Sequence, residues 1–385
     1  MPSFDVAVIG LGALGSATAA ALAGRGVSVV GLEQFELGHD RGASHDTSRI
    51  IRHSYHTQSY VALSKQAYAD WAMLEESSGA SLVTTTGGVD LFPPGAAIPM
   101  IDYTTAMDTE DIAYDVLDAD EVTARWAALR PPPGTAALYQ AETGIVPAAR
   151  GTTVMQRLAN VRGATLHPQT PVTGLRPDTT GIQVVTPGGT LSVGSVVVTA
   201  DAWVEPLLRP LGIRLGLTVT EEQVSYFAPP QPGQFAVDAF PVWIWMDDPS
   251  YYGFPMYGEA TVKAAQDCGG PVVTAEDRSG QPDRRLLAGL SGFLAGLVPG
   301  SGPPVRSRRC LYTLTPDRDF VLGPVPGEPR IVVGLGAGHG FKFAPTFGRL
   351  LADLALGGLP GPELHPFRLD RRALVDAAYA TSWLV

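Results

Sequence analysis

The stretch FDVAVIGLGALGSATAAALAGRGVSVVGLEQ, residues 4–34, constrains this chain more than any other. Val6, Val8 and Ile9 read as a short buried strand, and the alanine-rich residues 17–23 as a helix able to pack closely on a sheet. Residues 27–32 read as a second strand, which Glu33 ends. Between strand and helix, Gly10, Gly12 and Gly15 fit the pattern G-x-G-x-x-G. Glycines there let the backbone approach a pyrophosphate, and the helix N-terminus stabilises its charge. Glu33 can accept hydrogen bonds from a ribose and would repel a 2′-phosphate. Strand, turn, helix and acid at this spacing make a dinucleotide the expected ligand. The motif alone does not separate FAD from NAD.

Composition narrows the remaining classes. A chain of 385 residues can bury a large core in one or two domains, and 45% hydrophobic against 17% charged residues excludes a disordered one. The net charge of −11, with no cluster of arginines, argues against a nucleic-acid partner. Two cysteines, Cys268 and Cys310, cannot build a disulfide framework, so a cytoplasmic protein is expected. The apolar run after Asp5 lacks a basic leader and is broken by glycines, so neither a signal peptide nor a membrane span is expected.

Farther along, residues 58–77 have helical periodicity, residues 164–199 read as a β-meander, and RRLLAGLSGFLAGLVP reads as an amphipathic helix. RIVVGLGAGHGFKFAPTFGRLLADLAL gives a buried strand, a second glycine-rich turn and a helix whose N-terminus could also face an anion. The dinucleotide site is therefore expected to be assembled from both ends of the chain. The chain has 27 basic residues, yet lysine occurs only at Lys65, Lys263 and Lys342. Lys342 sits in the apolar, glycine-flanked HGFKFAP. Either codon use has drifted, or a compact ammonium is needed there that a guanidinium fork cannot mimic.

Four motifs in order, DVAVIGLGALGS, DTSRIIRHSY, YYGFP and CLYTLTPDRDFVLG, followed by GAGHGFKF, resemble the monomeric sarcosine oxidase and N-methyltryptophan oxidase family. These are flavin enzymes that oxidise secondary amino acids, and the resemblance runs the length of the chain. It implies an α/β fold: a Rossmann-like FAD-binding domain from residues 1–80, 148–215 and 316–385, with an inserted antiparallel-sheet substrate domain from 81–147 and 216–315. It implies FAD as the cofactor, Val172 as a contact to the adenine ring, and Gly338 and Gly340 among the cofactor contacts. The implied reaction oxidises a secondary (N-methyl or cyclic) amino acid beside its nitrogen, giving an imine and, with dioxygen, hydrogen peroxide. A proline- or pipecolate-type oxidase and a flavin amine dehydrogenase with another acceptor stay open. A monomer is implied.

The resemblance also assigns roles. Cys310 matches the cysteine that attaches the flavin covalently, which needs a thiolate; Arg308 and Arg309 are expected to lower its pKa if they lie nearby. Arg52 and Lys342 match the pair that holds the substrate carboxylate. Lys263 matches the lysine beside the flavin that promotes reaction with dioxygen, by a fixed positive charge. Arg49 and His45 fall beside the flavin ring, as does His339, while Tyr252 and Tyr312 line the substrate site; Tyr252 also reads as an ordinary strand aromatic. Lys65 reads as a solvated helix residue. One position departs from the family: Asp267 stands where it has a histidine. A carboxylate there is expected to compete with the substrate for Arg52, Lys263 and Lys342, and to favour a larger substrate carrying an amine, hydroxyl or ring N–H. The alternative is that Asp267 caps a turn.

Overall fold

The computed structural model of the protein describes residues 4–382. Its N-terminal stretch is a parallel βαβ unit, with β1 (Phe4–Ile9) and β2 (Val29–Leu32) side by side and α1 (Ala13–Ala23) between them in the chain. The alanines and other small residues of α1 are buried almost throughout. They let the helix lie close to the helices Ala148–Val161 and Ala344–Ala355 at once.

Two large sheets organise the molecule. In the first, the order runs Gly174–Pro177, Ile182–Thr186, Gly189–Val198, β1, β2, Thr165–His167. The long strand Gly189–Val198 is used twice on one side. Its first residues pair with Ile182–Thr186, and Val196–Val198 pair in parallel with the strand Glu328–Leu335. The parallel centre is built from valines exposed by 1% or less, as expected for strands covered on both faces. The expected meander is shorter than its sequence suggests: Thr165–His167 leaves it and runs parallel to β2. The helix Ala148–Val161, which precedes it, makes a crossover and brings it back to that edge.

The second sheet runs Pro304–Leu314, Thr218–Phe227, Val262–Gln266, Tyr251–Phe254, Val242–Trp245, Gly88–Phe92, Ala136–Gln140, Asp115–Leu117. It is antiparallel except where Val242–Trp245 meets Gly88–Phe92. A small three-stranded sheet, Arg49–Ile51 with Gly144–Val146 and Thr84–Thr85, carries the segment after the polar loop. The fold is the expected mixture of α and β. The helix Gln58–Ser78 matches its periodicity, and the helix Arg284–Leu297 buries Leu290, Leu294 and Leu297 along one face. After the strand Glu328–Leu335 the chain turns through glycines into a single 3-10 turn, Gly340–Phe343, before the helix Ala344–Ala355 begins. Lys342 therefore lies in that turn and not in the helix. Among the described residues, no helix is long and apolar enough to cross a membrane.

Candidate active site

One cavity is lined by both glycine turns and by residues of both large sheets. Gly10, Gly12, Glu33, Val172, Gly338 and Gly340 line it, as do His45, Arg49, Arg52, Tyr252, Asp267, Tyr312, His339 and Lys342. Gly15, Lys263 and Cys310 do not. Gly15 packs beneath the turn against the Gly10 carbonyl, and Lys263 lies behind Ser48, which does line the cavity.

At the first turn, Gly10 has φ +88°, and a Cβ on it would fall 2.7 Å from the Thr199 carbonyl oxygen. Only glycine meets both demands. The N-cap of α1 is Gly12 and its first turn holds no acid; Ser44 Oγ accepts from the Ala13 N–H at 2.9 Å, and the remaining positive helix end suits an anion. Glu33 is 4% exposed; its carboxylate accepts from the Leu11 N–H at 2.8 Å and from the Phe35 N–H at 3.0 Å, with His39 Nε2 at 3.4 Å. Burial opposes its charge, but His39 and the two N–H groups outweigh burial and lower its pKa. The acid thus ties the glycine turn to the end of β2. Two further features fit a bound flavin dinucleotide. Both ring nitrogens of His45 and Nδ1 of His339 are buried without a partner, on residues that line the cavity. At the second turn, Gly338 has φ +80°, and a Cβ there would strike the Tyr312 ring at 2.7 Å.

Two cations meet beside Tyr55. The guanidinium carbon of Arg52 lies 4.7 Å from that ring's centre and the Lys342 ammonium 5.6 Å from it. Arg52 is paired with Asp90 at 3.3 Å. Lys342 has no carboxylate within ion-pairing distance among the described residues; burial first, and Arg52 second, hold its ammonium well below the usual lysine range. The backbone under it is fixed, since the Trp71 indole donates to the Lys342 carbonyl at 2.7 Å.

Arg49 is pinned by three backbone carbonyls, those of Ala43, His45 and Ser48. Burial presses the His45 pKa down to about 4, with Arg49 adding to the effect, so the imidazole is neutral at neutral pH. Tyr252 and Tyr312 are raised above the ordinary phenol value, chiefly by burial. His339 donates to the Arg318 carbonyl through Nε2 at 2.9 Å, and burial holds its pKa well below the usual value.

Two expectations about charge need correction. Burial pushes the Cys310 thiol up to about 11, in spite of Arg49 and Lys263, which act to lower it. Arg308 and Arg309 are not its activators. Arg309 binds Glu221, at 3.2 Å to the carboxylate and 2.7 Å to the carbonyl, and Arg308 leans toward Asp46 at 3.9 Å. Adjacent strand residues point to opposite faces, so Arg309 cannot share the thiol's side. Asp267 makes its ion pair with Arg318 and not with Arg52, Lys263 or Lys342, although its charge helps to hold up the Lys342 pKa. Arg318 grips it with two bonds, 2.6 and 2.9 Å, from a side chain 3% exposed. The strand stops at Gln266, and Asp267 sits in a turn that lines the cavity. Sequence reasoning missed Arg318, Asp90, Asp46 and Ser48. Arg318 was within the quoted motif CLYTLTPDRDFVLG, but nothing local marked it as Asp267's partner.

A family model described as FAD dependent oxidoreductase matches residues 5–354. The chain is 34% identical to the monomeric sarcosine oxidase of Streptomyces avermitilis, over 98% of this chain and 99% of that one. It is 28% identical to the N-methyl-L-tryptophan oxidase of Salmonella newport, over 96% and 99%. The solved structure of NikD, an unusual amino acid oxidase essential for nikkomycin biosynthesis, matches with a TM-score of 0.86 at 29% identity, covering 96% of this chain and 98% of that one. The resemblance carried by the motifs is borne out, and with glycine turns, helix end and cavity in agreement, the chain belongs to the FAD dependent oxidoreductase family.

Proposed function

We propose that the protein is an FAD-dependent oxidase of secondary amino acids, N-methyl or cyclic, that yields an imine and hydrogen peroxide. The observation that carries this reading is the convergence of Arg52 and Lys342 on one cavity, with Lys342 lacking a carboxylate partner among the described residues. Two basic groups of which one has no ion-pair partner among the described residues suit an anionic substrate group, and Arg52 offers a fork for bidentate contact. The sarcosine and N-methyl-L-tryptophan oxidases among the relatives bear names of the same substrate class.

When bound, FAD supplies the two-electron oxidation of the carbon–nitrogen bond. The turn at Gly10 and Gly12, Glu33, Val172, and the turn at Gly338 and Gly340 would hold the dinucleotide. Arg49 keeps a positive charge beside the cavity while His45 stays neutral. Tyr252 and Tyr312, half-buried, form part of the cavity wall. Lys263 keeps a positive charge behind Ser48 that favours reduction of dioxygen. The substrate amine is oxidised in its neutral form, so no side-chain base is required. The protein acts as a monomer, with residues 1–80, 148–215 and 316–385 forming its cofactor domain.

A peroxide-coupled screen of N-methyl and cyclic amino acids against purified protein tests the activity. Flavin bleaching under anaerobic conditions without peroxide in air would select the dehydrogenase reading. Covalent attachment through Cys310 is tested by acid denaturation: colour and one FAD of added mass stay with the native protein and leave Cys310→Ser. Because burial holds the free thiol protonated, attachment should speed up as pH rises toward the thiol's pKa.

A further inference from the structure

Lys263 projects from the strand Val262–Gln266 and its side chain is 4% exposed. An ammonium has three donors and no acceptor. Lys263 Nζ lies 2.7 Å from Asp46 Oδ2 and donates to the Ser48 carbonyl at 2.9 Å and to Ser48 Oγ at 3.2 Å. Ser48 thus accepts from the ammonium twice, and Asp46 faces it as an ion-pair partner with a full negative charge. Asp46 is itself held from several sides. The Tyr226 hydroxyl donates to its Oδ1, Arg308 Nε stands 3.9 Å away, and its carbonyl accepts from the Ala149 N–H at 3.0 Å. Its backbone has φ +79°, in the left-handed region that glycine adopts freely and aspartate only at a cost. An aspartate kept there, with its carboxylate 3% exposed, points to a task for the side chain.

We infer that Asp46 is a positioning residue for Lys263, keeping its ammonium charged and pressed against Ser48 behind the cavity wall. The inference rests on the oxidase reading above. Without that carboxylate, Lys263 would be buried among cations and rings. Arg49 lies beside it, Arg308 reaches in from the strand Pro304–Leu314, and the Phe254 and Tyr226 rings stand 5.0 and 6.0 Å from its nitrogen. Arg306 stacks over the Tyr226 ring at 3.7 Å and is bound to Glu259. The other titratable neighbours, Cys310 and Tyr226, are both raised by burial and stay neutral. Burial brings the Lys263 pKa down to about 8, Asp46 is the strongest influence holding it up, and Arg49 pushes it down. A lysine loses its charge as pH rises through its pKa. Removing the carboxylate moves that point down, so the variant's lysine is neutral where the native one is still charged.

The scarcity of lysine makes this measurable. Labelling lysine ε-carbons with ¹³C gives three resonances from the flavin-bound protein, and Lys263→Met identifies the one that matters. In Asp46→Asn the Lys263 midpoint should fall by about one pH unit or more. Asp46→Gly, which relieves the backbone, should do the same. An unchanged midpoint in both variants overturns the inference. Reoxidation by dioxygen gives the second readout. At roughly pH 8 Asp46→Asn should slow toward Lys263→Met, and at roughly pH 6 it should recover toward the native rate while Lys263→Met does not. A loss that is equal at both pH values also overturns the inference. A purified protein without flavin absorbance would defeat the oxidase reading instead, and the Lys263 titration would still judge Asp46.

Discussion

Lys263, buried, and Lys342, half-buried, both place an amine beside one cavity, yet among the described residues only Lys263 makes an ion pair with a carboxylate of the protein. Asp46 and Ser48 hold the Lys263 ammonium behind the wall, so its charge acts on the cavity as a fixed field. Lys342 faces the cavity with the Tyr55 and Phe343 rings near it and Arg52 opposing it. A buried cation without a counter-charge is costly unless something supplies one. The difference teaches where a ligand belongs: the lysine with a built-in partner serves the scaffold's field, and the lysine without one awaits an anion.

The contrast can be broken most forcefully at Lys263. Lys263→Met should slow reoxidation of the reduced flavin by roughly a hundredfold or more, while anaerobic reduction by substrate falls much less. Equal losses in the two half-reactions would erase the distinction between the lysines. At Lys342 the effect should be smaller and should appear in binding. Lys342→Met should weaken a carboxylate ligand by roughly 1.5–3 kcal/mol and leave flavin content unchanged. An amino acid and its methyl ester binding equally well would contradict the assignment. The same lysine predicts a pH dependence. A bound carboxylate raises the depressed Lys342 pKa, so affinity should decline as pH rises through the value in the complex, and titration calorimetry should find this slope absent from Lys342→Met. The smallest effect is expected at Asp267. Because Arg318 holds its carboxylate, Asp267→His should shift preference toward sarcosine by only several fold, about 1 kcal/mol. Unchanged preference, measured as relative kcat/KM, would leave Asp267 as a turn residue.

How much of this could be read from the chain depended on distance. The βαβ unit was legible because its glycines, its alanines and Glu33 act within a few dozen residues. The cations were legible too: three lysines among so many arginines drew attention to Lys263 and Lys342. Their partners were not. Arg52 finds Asp90 across 38 positions and Arg318 finds Asp267 across 51, while Ser48 and Lys263 are 215 apart. No periodicity joins such pairs, since strand order decides which side chains meet. The Cys310 reading failed for a related reason. Arg308 and Arg309 are its neighbours in sequence, but the pleat and burial choose different ones in space: Arg49 and Lys263.

The strand Glu328–Leu335 completes the first sheet against Val196–Val198, two places from where the chain began at β1. The glycine turn that follows it closes the cavity, so its walls draw on residues from Ile9 to Lys342. A growing chain on the ribosome, however well its early βαβ unit has formed, has no complete pocket until nearly the last of it has emerged. Truncation shortly before Glu328 removes a wall of the pocket along with one strand, and cells starved of flavin should accumulate an assembled but empty enzyme.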